Sequence, residues 1–419
     1  MKRFHALLAG LAGLALMVLA AQAAAQTLSF SQALSAAQAQ SPRLAAQRYA
    51  LAAAGEQVGR AAELPDPKLR VGIENLPITG PDRYRYDKDP MTMRALGLMQ
   101  EFPNSAKRAA RSDRALRLRD LEQSNLAAQA VLLRKEAAVA WLDVYYAEHA
   151  RVALERLAGQ FRLQIDAVAA GVARGRQPAT ESFVVRQALE QVNDRVIDAE
   201  RAVAKARAQL AAWVGSEAKL PLGEGPDTAR LAHSPDALLG RLQQHPQLRL
   251  YDEREALARA DVEVARSGKD SDWSVEIGYG QRAPAFDNML TVMFAFELPW
   301  QAEKRQDRDV AARFAELEQL RAQREDARRM HDAEVRGWLA DFDAAGRRAG
   351  RAVQVLAPLA AGRVEAAVAA YRGGRGELAA VLEAERAATE VELGRIQAES
   401  ERARAWAALM YLEAHAEAK

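Results

Sequence analysis

Two hydrophobic periodicities alternate along this chain, and they return in the same order in its second half. Apolar residues spaced three and four apart dominate from Asn104 to about Gly171, with no proline or glycine before Gly159. That spacing predicts one helix of about 68 residues, roughly 100 Å long at 1.5 Å per residue. A second stretch of the same kind runs from Gln301 to Arg372, with Pro358 predicting a kink. Between the helical stretches the period drops to two. Trp273, Val275, Ile277 and Tyr279 alternate with Ser274, Glu276, Gly278 and Gly280. Leu290, Val292, Phe294 and Phe296 alternate with Thr291, Met293, Ala295 and Glu297. Upstream, Leu69, Val71 and Ile73 alternate with Arg70, Gly72 and Glu74, and Leu96, Leu98 and Phe102 with Gly97, Met99 and Glu101. The pattern predicts strands near 68–76, 92–102, 272–280 and 289–299.

Four landmarks repeat in one order. Ala33-Leu34 with Ser41-Pro42-Arg43-Leu44 returns as Ala237-Leu238 with His245-Pro246-Gln247-Leu248. Glu101-Phe102-Pro103 returns as Glu297-Leu298-Pro299, and Trp141-Leu142 as Trp338-Leu339. Arg174-Gly175-Arg176 returns near Gly374-Arg375. The chain therefore reads as a duplication, with a first repeat over 26–222 and a second over 223–419, joined through a stretch broken by Pro221, Gly223, Gly225 and Pro226. Each repeat reads helix, two strands, a very long helix, then a shorter helix. The first helix begins at a Ser29-x-x-Gln32 capping box, its counterpart at Ser234-Pro235. The fold class is mainly α with a small β part.

Residues 1–25 stand apart. Lys2 and Arg3 precede an apolar run from Ala6 to Ala20, and small-x-small sites follow at Ala21-Gln22-Ala23 and Ala23-Ala24-Ala25. This is the layout of a secretory signal peptide, so the mature chain is expected to be exported. No later segment offers an uninterrupted apolar run of helix-spanning length, so entry into a membrane would be as a β-barrel. The strands suit that use, since one face is wholly apolar and the other small or acidic, with Trp273, Tyr279 and Trp300 near their ends. Four strands do not close a barrel, and open edges cannot face lipid. The chain is expected to oligomerise, and strand number alone leaves two, three or four copies open.

Composition narrows the chemistry. The chain has 58 Lys plus Arg against 56 Asp plus Glu, and without Lys2 and Arg3 the two balance, which argues against a nucleic-acid partner. Its lack of cysteine excludes disulfides, thiolate metal sites, a cysteine nucleophile and a lipidated cysteine. Beyond the signal segment the histidines are His149, His233, His245, His331 and His415; none has another at ligand spacing, so they read as solvated or packed. Gly373-Gly374-x-Gly376 lacks the preceding strand of a phosphate-binding loop. No catalytic constellation and no cofactor site is apparent, and an enzyme is not expected.

In this context the residues resemble the TolC-like family of outer-membrane efflux proteins. The resemblance spans nearly all of the mature chain. It rests on Leu28-Ser29-Phe30-Ser31-Gln32-Ala33-Leu34 with Ser41-Pro42-x-Leu44, on the corners Glu101-Phe102-Pro103 and Glu297-Leu298-Pro299, and on Tyr371-Arg372-Gly373-Gly374 leading into Val381-Leu382-Glu383-Ala384. Leu64-Pro65-Asp66-Pro67, Glu74-Asn75-Leu76-Pro77 and Gly97-Leu98-Met99-Gln100-Glu101-Phe102-Pro103 look most like the heavy-metal, CzcC-like branch. The resemblance implies a homotrimer in the outer membrane of a Gram-negative bacterium: a twelve-stranded barrel among lipid, continued by a periplasmic α-helical barrel. It also implies a periplasmic adaptor and an inner-membrane pump as partners. Passive conduction of substrate, heavy-metal cations or alternatively drugs and other small organic molecules, follows from it. A soluble periplasmic coiled-coil scaffold or adaptor without a pore is the rival from another class.

Candidate site residues follow. Strand parity puts Glu74, Glu101, Glu276 and Glu297 in a barrel lumen, because a carboxylate facing lipid is costly. By resemblance, Gly175, Arg176, Gly374 and Arg375 form the tip that meets the adaptor, and Tyr371, Glu383 and Glu181 close the periplasmic entrance. Met91, Met93, Met99, Met289 and Met293 share the parity of the inward carboxylates. Thioethers are soft ligands, so Met93, Met99 and Met293 are candidates for transient contacts with passing soft metal ions, although Met91 and Met289 also read as loop residues and methionine equally fills packing gaps.

Overall fold

A computed structural model of the chain describes residues 27–242 and 245–412, which leaves the expected signal segment and His415 outside the described residues. The capping box opens helix α1 (Phe30–Gln40) as the sequence predicts: Ser29 Oγ accepts from Gln32 N at 3.2 Å, and Gln32 Oε1 accepts from Ser29 N at 3.0 Å. The expected single first helix is in fact two. Pro42 forces Ser41 into an extended conformation (φ −69°, ψ 112°), and α2 (Pro42–Ala61) starts anew with Ser41 Oγ accepting from Leu44 N. The second repeat breaks at the matching proline, into α5 (Pro235–Gly240) and α6 (Pro246–Ser267).

The long helix α3 runs over Ser105–Ala173, 69 residues, and is followed by α4 (Thr180–Val214). Its second-repeat counterpart is divided. After Gln301, which takes a left-handed backbone, and a short turn, α7 covers Gln306–Arg351, a π-helical turn covers Ala352–Leu356, and α8 covers Ala357–Arg372. Pro358 causes the change: it has no N–H for the carbonyl of Gln354, and the ladder widens by one residue upstream of the ring. A π turn therefore stands where a kink was expected. The segment Ala302–Arg372 offers no uninterrupted apolar run, but it holds an 18-residue window of mean hydropathy 1.3, only 6% buried, long and apolar enough by length and composition to cross a membrane. Alanine supplies much of that mean, and Arg363 and Glu365 sit in the same helix. The last helix is α9 (Leu378–Met410).

The strands are β1 (Lys68–Glu74), β2 (Met93–Phe102), β3 (Trp273–Gln281) and β4 (Met289–Phe296). They form one antiparallel sheet in the order β1-β2-β3-β4. The central β2–β3 pair joins the two repeats, with Leu98 opposite Ile277 and Met99 opposite Glu276. β4 stops short of the predicted 299: Glu297 N still donates in register to the carbonyl of Asp272 at 2.9 Å, but Pro299 has no N–H to add to a ladder.

The chain forms two compact units, and each takes segments from both repeats. One consists of Ala45–Ala128 and Pro246–Arg329 and holds the sheet. At its strand-to-helix corner, Asn104 N and Nδ2 donate to Asp272 Oδ1 at 2.8 and 3.0 Å. Asn104 Nδ2 also reaches the carbonyls of Ser267 and Asp270, Asn104 Oδ1 caps Lys107 N at 2.7 Å, and Lys107 Nζ meets Asp272 Oδ2 at 2.5 Å. The other unit consists of Met1–Leu44, Gln129–His245 and Met330–Lys419. Within it the Trp141 indole donates to the carbonyl of Leu28 at 3.1 Å, with Phe30 set edge-on against the ring. A second cluster packs Phe161, Val168, Val185 and Leu189 with Leu378 and Leu382.

Candidate functional sites: the sheet face and the paired helical turns

Register sorts the sheet into two faces. The apolar one carries Leu69, Val71, Ile277, Leu290, Val292 and Phe294, and it is uncovered: Val71 is 75% exposed and Leu290 73%. A uniformly apolar sheet face left open to water would be costly at about 25 cal/mol per Å². The opposite face carries Glu74, Glu101 and Glu276, as parity predicts, and Glu297 lies exposed just past β4. The carboxylates are not alone. Arg70 Nη1 lies 2.9 and 3.0 Å from the two oxygens of Glu276, Arg70 Nη2 lies 3.7 Å from Glu74, and Lys68 pairs with Glu101. The face is therefore closer to neutral than a reading of its carboxylates suggests. Sequence reasoning placed Arg70 on this face but missed its partner, 206 positions away. The face bounds a recess of about 450 Å³ lined in part by Arg70, Glu74, Glu276, Met93 and Met293.

In the other unit, two turns are built alike. Gly175 (φ 67°) and Gly374 (φ 69°) take the left-handed region that favours glycine, and the next arginine closes each turn. Arg176 N reaches the carbonyl of Gly171, and Arg375 N that of Ala370, both at 3.0 Å. Both arginines are exposed. Tyr371 links the turns: its hydroxyl donates to Glu181 Oε2 at 2.7 Å and accepts from Gln177 Nε2 at 2.6 Å. Burial, reinforced by the acceptor Glu181, pushes the Tyr371 hydroxyl up to about 12. Glu383 is not part of this network. It stays exposed and makes no hydrogen bond or ion pair with any described residue. The 199-residue offset between the turns aligns Glu383 with the exposed Val184, and Glu181 with Ala380.

The histidines divide. His149 Nδ1 lies 2.7 Å from the Tyr145 carbonyl, and His233 lies beside Arg241. His245 and His331, read as solvated or packed, pack against each other with ring centroids 4.3 Å apart and planes tilted by 32°, at 6% and 5% exposure. Burial first, then the nearby His331 and Lys135, lowers the His245 imidazole to about 3. Their 86-residue separation left no local signal. Among the described residues, no group of three or more His, Asp or Glu could hold a metal ion.

This arrangement, one four-stranded sheet with two long-helix hairpins, is a fold found among solved outer-membrane channel structures. No protein-family model matches the chain, and no curated protein sequence matches it. Solved structures do. The chain resembles CusC, described as forming a transmembrane channel, with a TM-score of 0.78 at 16% identity over 92% of each chain. It resembles a membrane protein from Pseudomonas aeruginosa (TM-score 0.77, 18% identity, 91% and 92% of the two chains). It also resembles the outer membrane protein VceC from Vibrio cholerae (TM-score 0.75, 16% identity, 91% and 95%). These structural neighbours are membrane and channel proteins, not enzymes.

Proposed function

We propose that the chain is one subunit of an outer-membrane efflux channel, its sheet supplying four strands to a barrel shared by three copies and its helices forming a conduit on the periplasmic side. The observation that carries this reading is the sheet: its apolar face is uncovered, its polar face is lined with paired charges, and β1 and β4 are edge strands. Edges exposed to lipid leave N–H and C=O groups unsatisfied, whereas an even number of antiparallel strands per copy lets β4 of one copy pair with β1 of the next without breaking the alternation. The exposed apolar positions Val353, Val355, Leu356 and Leu359 are then covered by neighbouring copies rather than by lipid.

Conduction is passive, with energy from an inner-membrane pump reached through a periplasmic adaptor that meets the turns at Gly175-Arg176 and Gly374-Arg375. Tyr371 and Glu181 hold the entrance narrow. Heavy-metal cations are the substrate class, a finer reading that rests on the sequence resemblance. A cysteine-free chain makes the test clean. Gly72→Cys in β1 and Thr291→Cys in β4, joined by a short bifunctional reagent in native membranes, should yield a ladder ending at trimer. A ladder ending elsewhere overturns the stoichiometry, and release of the protein with the soluble periplasm overturns the channel in favour of a scaffold. Loss of tolerance to metals, and not to drugs, on deletion of the gene checks the substrate class.

A further inference from the structure

We infer that the polar face of the sheet makes weak, exchangeable contacts with soft monovalent cations, Cu(I) or Ag(I), through methionine thioethers paired across the middle strand β3. The inference rests on the channel reading and names the ions that the lumen would favour.

Register brings the methionines together in two places. Met99 on β2 and Met293 on β4 are the direct neighbours of Glu276 on β3, one on each side. Met93 on β2 reaches diagonally over Gly280, so closely that a Cβ there would lie 2.5 Å from its Sδ, and the β4 partner of Gly280 is Met289. Both places have the form Met–β3 residue–Met. Strands flanking a third lie about 10 Å apart, a gap that two flexible methionine side chains leaning inward can close. Gly280 leaves open the path that any side chain would block.

The chemistry of the surroundings selects for softness. Both oxygens of Glu276 are taken by Arg70, so the carboxylate between Met99 and Met293 is not free for a hard cation. No histidine lies on the strands. Between Met99 and Met293 what remains is thioether sulfur, which suits Cu(I) and Ag(I) and poorly suits hard ions, and beside Met93 the one carboxylate, its β1 partner Glu74, is ion-paired with Arg70 at 3.7 Å. Packing within the chain does not account for all four: Met93 and Met99 are half-buried, but Met289 is 45% and Met293 55% exposed, unlike methionine that fills a core gap. Two neutral sulfurs without a third donor hold an ion loosely, as a conduit requires.

The test is a silver nitrate titration of purified trimer carrying ¹³C-methyl methionine. Methyl resonances of Met93, Met99, Met289 and Met293 should shift at silver concentrations that leave Met330, an exposed thioether on α7, unmoved. Zinc should move none of them. Changing Met293 to leucine should abolish the shift of Met99 and leave those of Met93 and Met289, and Gly280→Ala should remove those of Met93 and Met289 alone. Equal movement of Met330, or strand shifts with zinc matching those with silver, overturns the inference. Planar-bilayer conductance of the same preparation separates the two levels. Conducting trimers without selective shifts sink the thioether contacts alone, whereas a preparation that neither conducts nor forms trimers sinks the channel.

Discussion

The Tyr371 hydroxyl donates to Glu181 Oε2 at 2.7 Å, fastening the turn of the second repeat to the start of the first repeat's α4. A hydrogen bond to a charged acceptor is worth about 1.5–3 kcal/mol. Tyr371→Phe removes the donor to Glu181 and the acceptor for Gln177 while keeping the ring against the Phe161–Val185 cluster. Single-channel conductance in bilayers should rise. Glu383→Gln, which touches no partner among the described residues, should leave conductance unchanged, and a rise there equal to that of Tyr371→Phe would put the constriction elsewhere.

The same tyrosine sets an alkaline limit. Its folded-state value of about 12 stands above the unfolded value near 10, so its stabilising contribution is full below pH 10 and fades between 10 and 12. Midpoint denaturant concentrations between pH 9 and pH 11.5 should fall more steeply for the native chain than for Tyr371→Phe.

The buried histidine pair sets an acid limit of opposite sign. With the His245 imidazole near 3 when folded and near 6.5 when unfolded, its contribution is full above pH 6.5 and is lost progressively as pH falls toward 3. Lys135 adds repulsion to any proton on the pair, and Glu334, 3.4 Å from His331 Nδ1, offsets part of it. Melting temperature should drop between pH 7 and pH 4.5, and His245→Gln should flatten that slope even if it lowers the plateau. A slope unchanged in the variant would assign acid lability to other groups.

Arg70 governs the charge of the sheet face. Its contacts are exposed, so Arg70→Gln should cost folding little, within about 1 kcal/mol. It removes a positive charge and frees Glu276. Reversal potentials in a salt gradient should move toward cation selectivity, and an unmoved reversal potential would take this face out of the conduction path.

At the corner, Asn104 fills several roles at once, so Asn104→Ala leaves Asp272 short of donors and Lys107 N uncapped. The loss should be about 2 kcal/mol. Denaturant unfolding of the variant beside Ser105→Ala, in which none of these hydrogen bonds is removed, checks it.

Local order determined what was legible in the sequence. Alternation at Trp273–Tyr279 and Leu290–Phe296 defined strands and their faces, because side-chain direction in a strand depends only on parity. The Ser29–Gln32 cap and the proline-free run after Asn104 set helix starts and lengths for similarly short-range reasons. Tertiary structure alone decided which distant groups meet. Arg70 finds Glu276 only because β2 pairs with β3 in one register, and Tyr371 finds Glu181 rather than Glu383 only because two helical turns lie side by side. His245 and His331 carry no periodic signature of their ring contact. Even the prolines were half legible: Pro42 and Pro358 each forbid an ordinary helical hydrogen bond, but the chain answers with a break at Pro42 and a π turn upstream of Pro358. Periodicity records which side of an element is buried; long-range packing selects the partner that buries it.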